Sequence, residues 1–165
     1  MFLEKMNEDL KKKVPIDFKT EIEEGSQRED TAWYEWMKHI ENNNSEISHY
    51  FYGIQKEQTE CPNCHNKNLR FVPYNTISCS LDNIKKNNLT KVISLQNCLE
   101  NELTKATKLD QSNKWYCSNC EVEREAHRKT SLYKAGKFLL IQVKRFKSNF
   151  NGRFEKNNDQ ILCPL

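Results

Sequence analysis

No stretch of the chain approaches the ~20 consecutive apolar residues that a bilayer-spanning helix needs, so no membrane partner is expected. The opening residues, MFLEKMNEDL, carry acids and no apolar run, which is not the pattern of a signal peptide. One-sided charge is missing too: 26 basic residues face 23 acidic ones, a net charge of +3. Binding to a nucleic-acid backbone needs a concentrated basic face, so no nucleic-acid partner is expected. Lys11-Lys12-Lys13 reads as the solvated end of a helix. Apolar residues are scarce, at 36% of the chain with a mean hydropathy of −0.91. Much of that polarity lies in runs such as Asn42-Asn43-Asn44 and Lys85-Lys86-Asn87-Asn88, which read as solvated loops. Apart from two CxxC units, nothing repeats. With these absences the seven cysteines are expected in a reducing compartment, the cytoplasm and/or nucleus. There, paired CxxC motifs favour metal or redox chemistry over structural disulfides.

What is present is one domain's length, 165 residues, enough to bury roughly 70% of the unfolded surface. Phe2, Leu3, Met6 and Leu10 recur at helical spacing, so the chain is expected to begin inside an amphipathic helix, as a piece of something larger. Residues 13–29 read as a charged loop. Asp30 can cap a second helix with Trp33, Trp36, Met37 and Ile40 inward. Ser45 can cap a third with Ile47, Tyr50 and Phe51 inward, stopped by Gly53. Strands follow: 54–59, 69–72 and 74–81, then an insertion loop at 82–91. Ser94 can cap a helix that faces Leu95, Cys98, Leu99 and Leu103 inward. Extended segments enter and leave the second CxxC at 114–117 and 122–132. Phe138–Phe146 (FLLIQVKRF) is the most apolar strand and is expected at the centre of a sheet. Asn151-Gly152 between Phe150 and Phe154 signals a hairpin turn. A further strand is expected near Ile161.

The chemistry concentrates in Cys61-Pro62-Asn63-Cys64 and Cys117-Ser118-Asn119-Cys120. Zn²⁺ takes four soft ligands at tetrahedral corners, and two CxxC turns at two hairpin tips can supply them. The 52 residues between Cys64 and Cys117 must then hold strands and a helix of their own. The tips are too polar to bury a core, and metal binding of ~10–16 kcal/mol can supply the missing stability. Alone, CPNC also fits a thioredoxin-like redox pair, but Asn66-Lys67-Asn68 gives a turn where that reading wants a helix. His65 is a substitute ligand one residue beyond its knuckle. Cys79, Cys98 and Cys163 fall on apolar faces and are expected as buried thiols.

The order of these pieces resembles the ubiquitin-specific proteases, papain-like cysteine deubiquitinases with a thumb–palm–fingers architecture. MFLEKMNEDLKK resembles the end of the family helix E-F-L-x-x-L-L-x-x-L-x-E-D-L. AWYEWMKHIENNNSEISHYFYGIQKEQTECPNC resembles its A-W-x(n)-N-x-S-x-I-x-D-x-F-x-G-x(n)-C-x-x-C segment. FVPYNTISCSL resembles F-x-P-F-x-x-L-S-L-P-L, SLQNCLENELTKATKLDQSNKWYCSNC resembles S-L-x-x-C-L-x(n)-W-Y-C-x-x-C, and FLLIQVKRF matches the palm signature L-x-x-x-L-K-R-F. The resemblance covers nearly the whole chain. It implies a partial α+β fold: the helical end of a thumb (1–53), zinc-bearing fingers of zinc-ribbon type (54–133) and part of a palm sheet (134–165). It implies structural Zn²⁺ on Cys61, Cys64, Cys117 and Cys120, and hydrolysis of ubiquitin isopeptide bonds by the parent domain. Ubiquitin and ubiquitinated proteins are the implied partners. Phe71, Tyr74 and Phe146 are candidates for ubiquitin contact, with core packing the competing role, most of all for Phe146.

Two departures matter. The family's nucleophile box, G-L-x-N-L-G-N-T-C-Y, and its G-H-Y base box are not in this sequence. His49-Tyr50 mimics the second but sits in a helix before the first CxxC, and His39, His65 and His127 have no better claim. No catalytic residue is assigned, and the chain is expected to be inactive alone. Ala135-Gly136 stands where the family usually places proline before the palm strand. The alternative is a non-catalytic zinc-ribbon module that binds a protein or ubiquitin without chemistry.

Overall fold

A computed structural model of the chain describes residues 2–15, 30–81, 84, 92–148 and 151–163. Most of the expected charged loop at 13–29 and insertion at 82–91 lies outside these residues. Three helices come first: α1 (Phe2–Leu10), α2 (Asp30–Asn43) and α3 (Glu46–Phe51). Ser45 caps α3 as expected. Its side chain accepts the Ser48 N–H, and the Ser48 side chain accepts the Ser45 N–H, a reciprocal capping box.

The buried faces of these helices follow the apolar stripes only in part: Ile40 and Ile47 are buried as expected, and Trp36 packs on the core. In α1 the buried side chain is Asn7, which accepts a hydrogen bond from the Ser45 hydroxyl, whereas Phe2 and Leu10 are exposed. In α2 the small Ala32 lies against Ile54 and Phe71, and Trp33 is 60% exposed. In α3 Ile47 and Ser48 are buried and Tyr50 is exposed. The close contacts take in Asn7, Ala32, Ser48 and the two isoleucines, and the bulky rings of Trp33 and Tyr50 lie at the rim.

Strands follow in chain order: β1 (Gly53–Glu60), β2 (Lys67–Tyr74), β3 (Thr76–Ser80) and β4 (Ile93–Ser94). Helix α4 (Leu95–Thr104) is capped by Ser94, whose side chain accepts the Gln96 N–H, and buries Cys98. Next come β5 (Thr107–Leu109), a 3-10 turn (Gln111–Asn113), β6 (Trp115–Cys117), β7 (Val122–Arg124) and β8 (Ala126–Lys134). The last four are β9 (Leu140–Lys144), β10 (Phe146–Ser148), β11 (Phe154–Lys156) and β12 (Ile161–Leu162). The main sheet is antiparallel in the order β2-β1-β8-β5. β3 pairs with β9 in parallel, as β4 does with β12, while β6–β7 and β10–β11 are hairpins. Gly152, at φ 71°, takes the left-handed position in the second hairpin's turn, as Asn-Gly implied.

Two apolar clusters anchor this layout. Ala32, Ile54 and Phe71 hold α2 to the main sheet. Tyr74, Ile77, Cys79, Leu81, Ile93 and Cys98 form the other, with Ile141, Val143 and Ile161 packed on it. The expectation of a central FLLIQVKRF strand needs correction. Within it Leu140–Lys144 is strand and pairs with β3 alone among the described residues, Phe146 opens β10, and Phe138 is 53% exposed. Arg145 ends it by donating to the backbone oxygens of Asn157 (3.2 Å) and Asp159 (2.9 Å).

Gly53 does not stop α3 in a left-handed conformation; it opens β1 at a crowded crossing. A Cβ there would press on the Lys134 carbonyl oxygen and come within 2.8 Å of the Tyr74 ring. A Cβ on Gly136 would lie 2.8 Å from the Tyr52 carbonyl oxygen. The end of α3, the start of β1 and the link from β8 to β9 thus meet backbone to backbone. The Phe138 N–H closes the contact by donating to the Tyr50 carbonyl (2.9 Å).

Candidate metal centre

The β1–β2 hairpin carries Cys61-Pro62-Asn63-Cys64 at its tip, and the β6–β7 hairpin carries Cys117-Ser118-Asn119-Cys120 at its own. β7 runs almost directly into β8, which is laddered to β1 up to the pair Glu60 and His127. That ladder brings the second tip over the first. In the first loop Cys61 N–H donates to Asn66 O (2.9 Å) and His65 N–H donates to Cys61 O (3.0 Å). The residue after each second cysteine is left-handed, His65 at φ 57° and Glu121 at φ 52°, so the two loops turn alike.

The four sulfurs lie within 4.8 Å of one another. Across the loops, Cys61 Sγ is 4.0 Å from Cys120 Sγ, and Cys64 Sγ is 3.5 Å from Cys117 Sγ. A tetrahedron with metal–sulfur bonds of about 2.3 Å has edges of ~3.8 Å, so the donor set fits one Zn²⁺. All four thiols are free of disulfides. Cys61 and Cys117 are fully buried, whereas Cys64 and Cys120 are half-buried.

The local fields differ from corner to corner. The backbone N–H of Cys64 leads in lowering the Cys61 pKa. The Asn119 side chain, then the Asn66 N–H, bring Cys64 down to about 6. Burial dominates at Cys117 and pushes it up to about 11, so that corner in particular calls for a cation to become a thiolate. Outside the cluster burial also rules: Cys79 rises to about 11 and Cys98 rises as well, the behaviour of inert core thiols. Cys163 corrects its expectation, being exposed. His65 does not join the sulfurs; its Nδ1 lies 3.3 Å from Glu60 Oε1.

Of the three candidates for ubiquitin contact, Phe71 is 2% exposed and meets Tyr133 edge-on at 5.0 Å, and Tyr74 is 8% exposed in the second cluster. Neither offers a surface. Phe146, for which core packing was the stronger expectation, is 68% exposed on β10. Two residues escaped the sequence reading, Asn63 and Asn119. Asn63 Nδ2 donates to Cys120 Sγ at 3.6 Å, and the Asn119 side chain lowers the Cys64 pKa. The signal was available, since asparagine is the third residue of both CxxC loops.

The fold and its site define a class: a mixed α+β chain in which two hairpin tips close a four-cysteine cluster of zinc-ribbon type. The match to known proteins is narrower. Residues 1–165 match the family described as ubiquitin carboxyl-terminal hydrolase, and the chain belongs to that family. It is 30% identical over 160 residues to "Probable ubiquitin carboxyl-terminal hydrolase 4" of Schizosaccharomyces pombe, covering 92% of this chain and 26% of that protein. It is 32% identical over 136 residues to "Probable ubiquitin carboxyl-terminal hydrolase R319" of Acanthamoeba polyphaga mimivirus, covering 81% of this chain and 28% of that one. The chain thus spans about a quarter of the length of these relatives. Among solved structures, the SAGA DUB module containing Ubp8, bound to ubiquitin aldehyde, has a chain of like fold. The TM-score is 0.59 at 24% identity, over 82% of this chain and 29% of that one. No helix among the described residues is long and apolar enough to cross a membrane.

Proposed function

We propose that this chain is the zinc-bearing middle of a deubiquitinase catalytic domain: thumb end at 1–53, fingers at 54–133, partial palm at 134–165. One structural Zn²⁺ on Cys61, Cys64, Cys117 and Cys120 ties the two finger hairpins together, and the surface they hold up binds ubiquitin. The observation that carries the reading is the four-sulfur cluster, set in a chain matched along its whole length by the ubiquitin carboxyl-terminal hydrolase family. Of the three aromatic candidates, Phe146 is retained as a ubiquitin contact because its ring is accessible. The whole domain would hydrolyse ubiquitin isopeptide bonds with a thiol nucleophile. This chain alone would be silent, because thiol chemistry needs a cysteine within reach of an oriented base. Among the described residues no histidine nitrogen is hydrogen-bonded to a cysteine sulfur: His49 bonds Asn44 and His65 bonds Glu60. The same observation suits the second reading, a zinc-ribbon ubiquitin binder without chemistry.

Three measurements on the purified chain test this. Elemental analysis should find one zinc per chain, and a folded metal-free protein refutes the metal assignment. An electrophilic ubiquitin probe should label none of the seven cysteines; labelling that a histidine substitution abolishes refutes the silent reading. NMR titration into labelled ubiquitin should shift one face of ubiquitin. No shift at millimolar concentrations of folded, zinc-loaded chain refutes ubiquitin binding.

A further inference from the structure

Two close sulfur pairs run from one loop to the other. Cys64 Sγ lies 3.5 Å from Cys117 Sγ, and Cys61 Sγ lies 4.0 Å from Cys120 Sγ. Each pair joins a fully buried sulfur, Cys117 or Cys61, to a half-buried one, Cys64 or Cys120. The half-buried member meets solvent, and the buried member lies behind it. The first loop is pinned around these sulfurs, with Cys61 N–H donating to Asn66 O (2.9 Å) and His65 N–H donating to Cys61 O (3.0 Å). The second loop is carried by β7 and β8, and β8 is laddered to β1 up to the pair Glu60 and His127. The backbone therefore holds sulfur against sulfur across the gap between the hairpins. Bonded sulfurs sit at about 2.05 Å, so the tighter pair has roughly 1.5 Å left to close.

We propose that Cys64 and Cys117 are an oxidation site: a peroxide links them across the two loops, and the link takes over from the metal as the tie between the hairpins. The loss of metal rests on the zinc reading, whereas the link rests on the sulfur geometry alone. Hydrogen peroxide is the oxidant. The Cys64 sulfur attacks one peroxide oxygen, the O–O bond breaks, and a sulfenic acid forms as water leaves. The Cys117 sulfur then attacks the Cys64 sulfur, the S–O bond breaks, and a second water carries away the thiol proton. Two thiols and one peroxide give one disulfide and two waters. Two of the four thiolates are consumed, and the two sulfurs that remain cannot close a tetrahedron around Zn²⁺. Two thiols of a reductant reverse the link, so it is a transient device suited to a reducing compartment. A bond within either CxxC unit would also cost the metal its ligands, but it would leave the two tips untied.

The test uses the zinc-loaded chain carrying Cys163→Ser, which removes the exposed thiol able to join two chains. An equimolar amount of hydrogen peroxide is added, free thiols are blocked with N-ethylmaleimide, and the protein is digested with trypsin without reduction. Cleavage after Lys56, Lys67, Lys114 and Arg124 puts each CxxC unit on its own peptide. The expected product is these two peptides joined, with fragment ions placing the bond between Cys64 and Cys117. Dithiothreitol should return both thiols. A bond within Cys61-Pro62-Asn63-Cys64 or Cys117-Ser118-Asn119-Cys120 leaves the peptides separate, each two hydrogens lighter, and overturns the proposal. So does sulfinic acid in place of a disulfide, a bond through Cys61 and Cys120 alone, or four unmodified thiols. Amide exchange at the two tips should stay as slow in the linked chain as in the zinc-loaded one; exchange as fast as in the reduced, metal-free chain overturns the tie. Zinc released to a chromogenic chelator is a separate readout, expected at one zinc per linked chain. A starting protein that holds no zinc overturns the metal reading, while the peptide map still judges the link.

Discussion

Replacing Cys117 with serine removes one corner of the sulfur cluster while leaving a side chain of nearly the same shape. Cys117 is fully buried, and its Sγ lies 3.5 Å from Cys64 Sγ. A serine hydroxyl does not ionise near neutral pH, so it cannot replace the thiolate as a ligand. Structural zinc sites contribute ~10–16 kcal/mol; shared over four ligands, each corner is worth roughly 10²–10³ in metal affinity. Competition against a chelator of known affinity should show a loss of that size, and amide exchange should rise at the tips of β1–β2 and β6–β7. Cys98→Ser is the matched control. Cys98 is also fully buried, but among Tyr74, Ile77, Cys79 and Ile93, away from the sulfurs. There a hydroxyl without a partner costs ~1–3 kcal/mol of stability, with zinc affinity unchanged. Equal zinc affinity in Cys117→Ser and the native chain, or a zinc loss in Cys98→Ser, refutes the four-cysteine assignment.

Other perturbations probe the frame around the site. Gly136→Ala presses a methyl group against the Tyr52 carbonyl, a backbone atom that cannot turn aside, so a loss of about 1–3 kcal/mol is expected in chemical denaturation. Gly152→Ala meets nothing within 4 Å and should cost only its left-handed backbone, about 1 kcal/mol; equal losses at both positions refute the crowding argument. Glu121→Gly relieves a side-chain-bearing residue at φ 52° but frees the unfolded chain, leaving a net gain of at most about 1 kcal/mol. A small rise in Tm supports that balance and a fall refutes it. His39 lies between the Trp36 and Tyr52 rings with Nε2 buried and unpartnered, and burial lowers its pKa below 6.5. The unfolded chain therefore takes up this proton first as pH falls. Stability from this site is full above 6.5 and declines on acidification towards the lowered pKa. His39→Phe should flatten that part of the pH–Tm curve, and an unchanged slope refutes the assignment.

Local chemistry made much of the chain legible. Ser45 and Ser94 cap the helices that follow them, because a hydroxyl two or three residues from an orphan N–H satisfies it wherever the helix packs. Asn151-Gly152 turns a hairpin for a similarly local reason, the left-handed glycine. Two CxxC units announced the four-sulfur cluster, since spacing within each loop fixes where its two sulfurs sit. Which residue of a face is buried was not legible. Trp33 and Phe146 are among the most apolar residues, yet they lie outside, while Asn7 and Ser48 lie within. Periodicity gives the direction of a face, but the neighbour's shape decides which side chain the contact admits. That neighbour is supplied by segments far away in sequence, as Phe71 shows by packing on Ala32. The same holds at the sulfur cluster. Sequence set the four sulfurs, whereas only the sheet order β2-β1-β8-β5 set one tip against the other and brought Asn63 onto Cys120. The pairing of β1 with β8 joins residues more than sixty positions apart, and no local preference carries information over that distance.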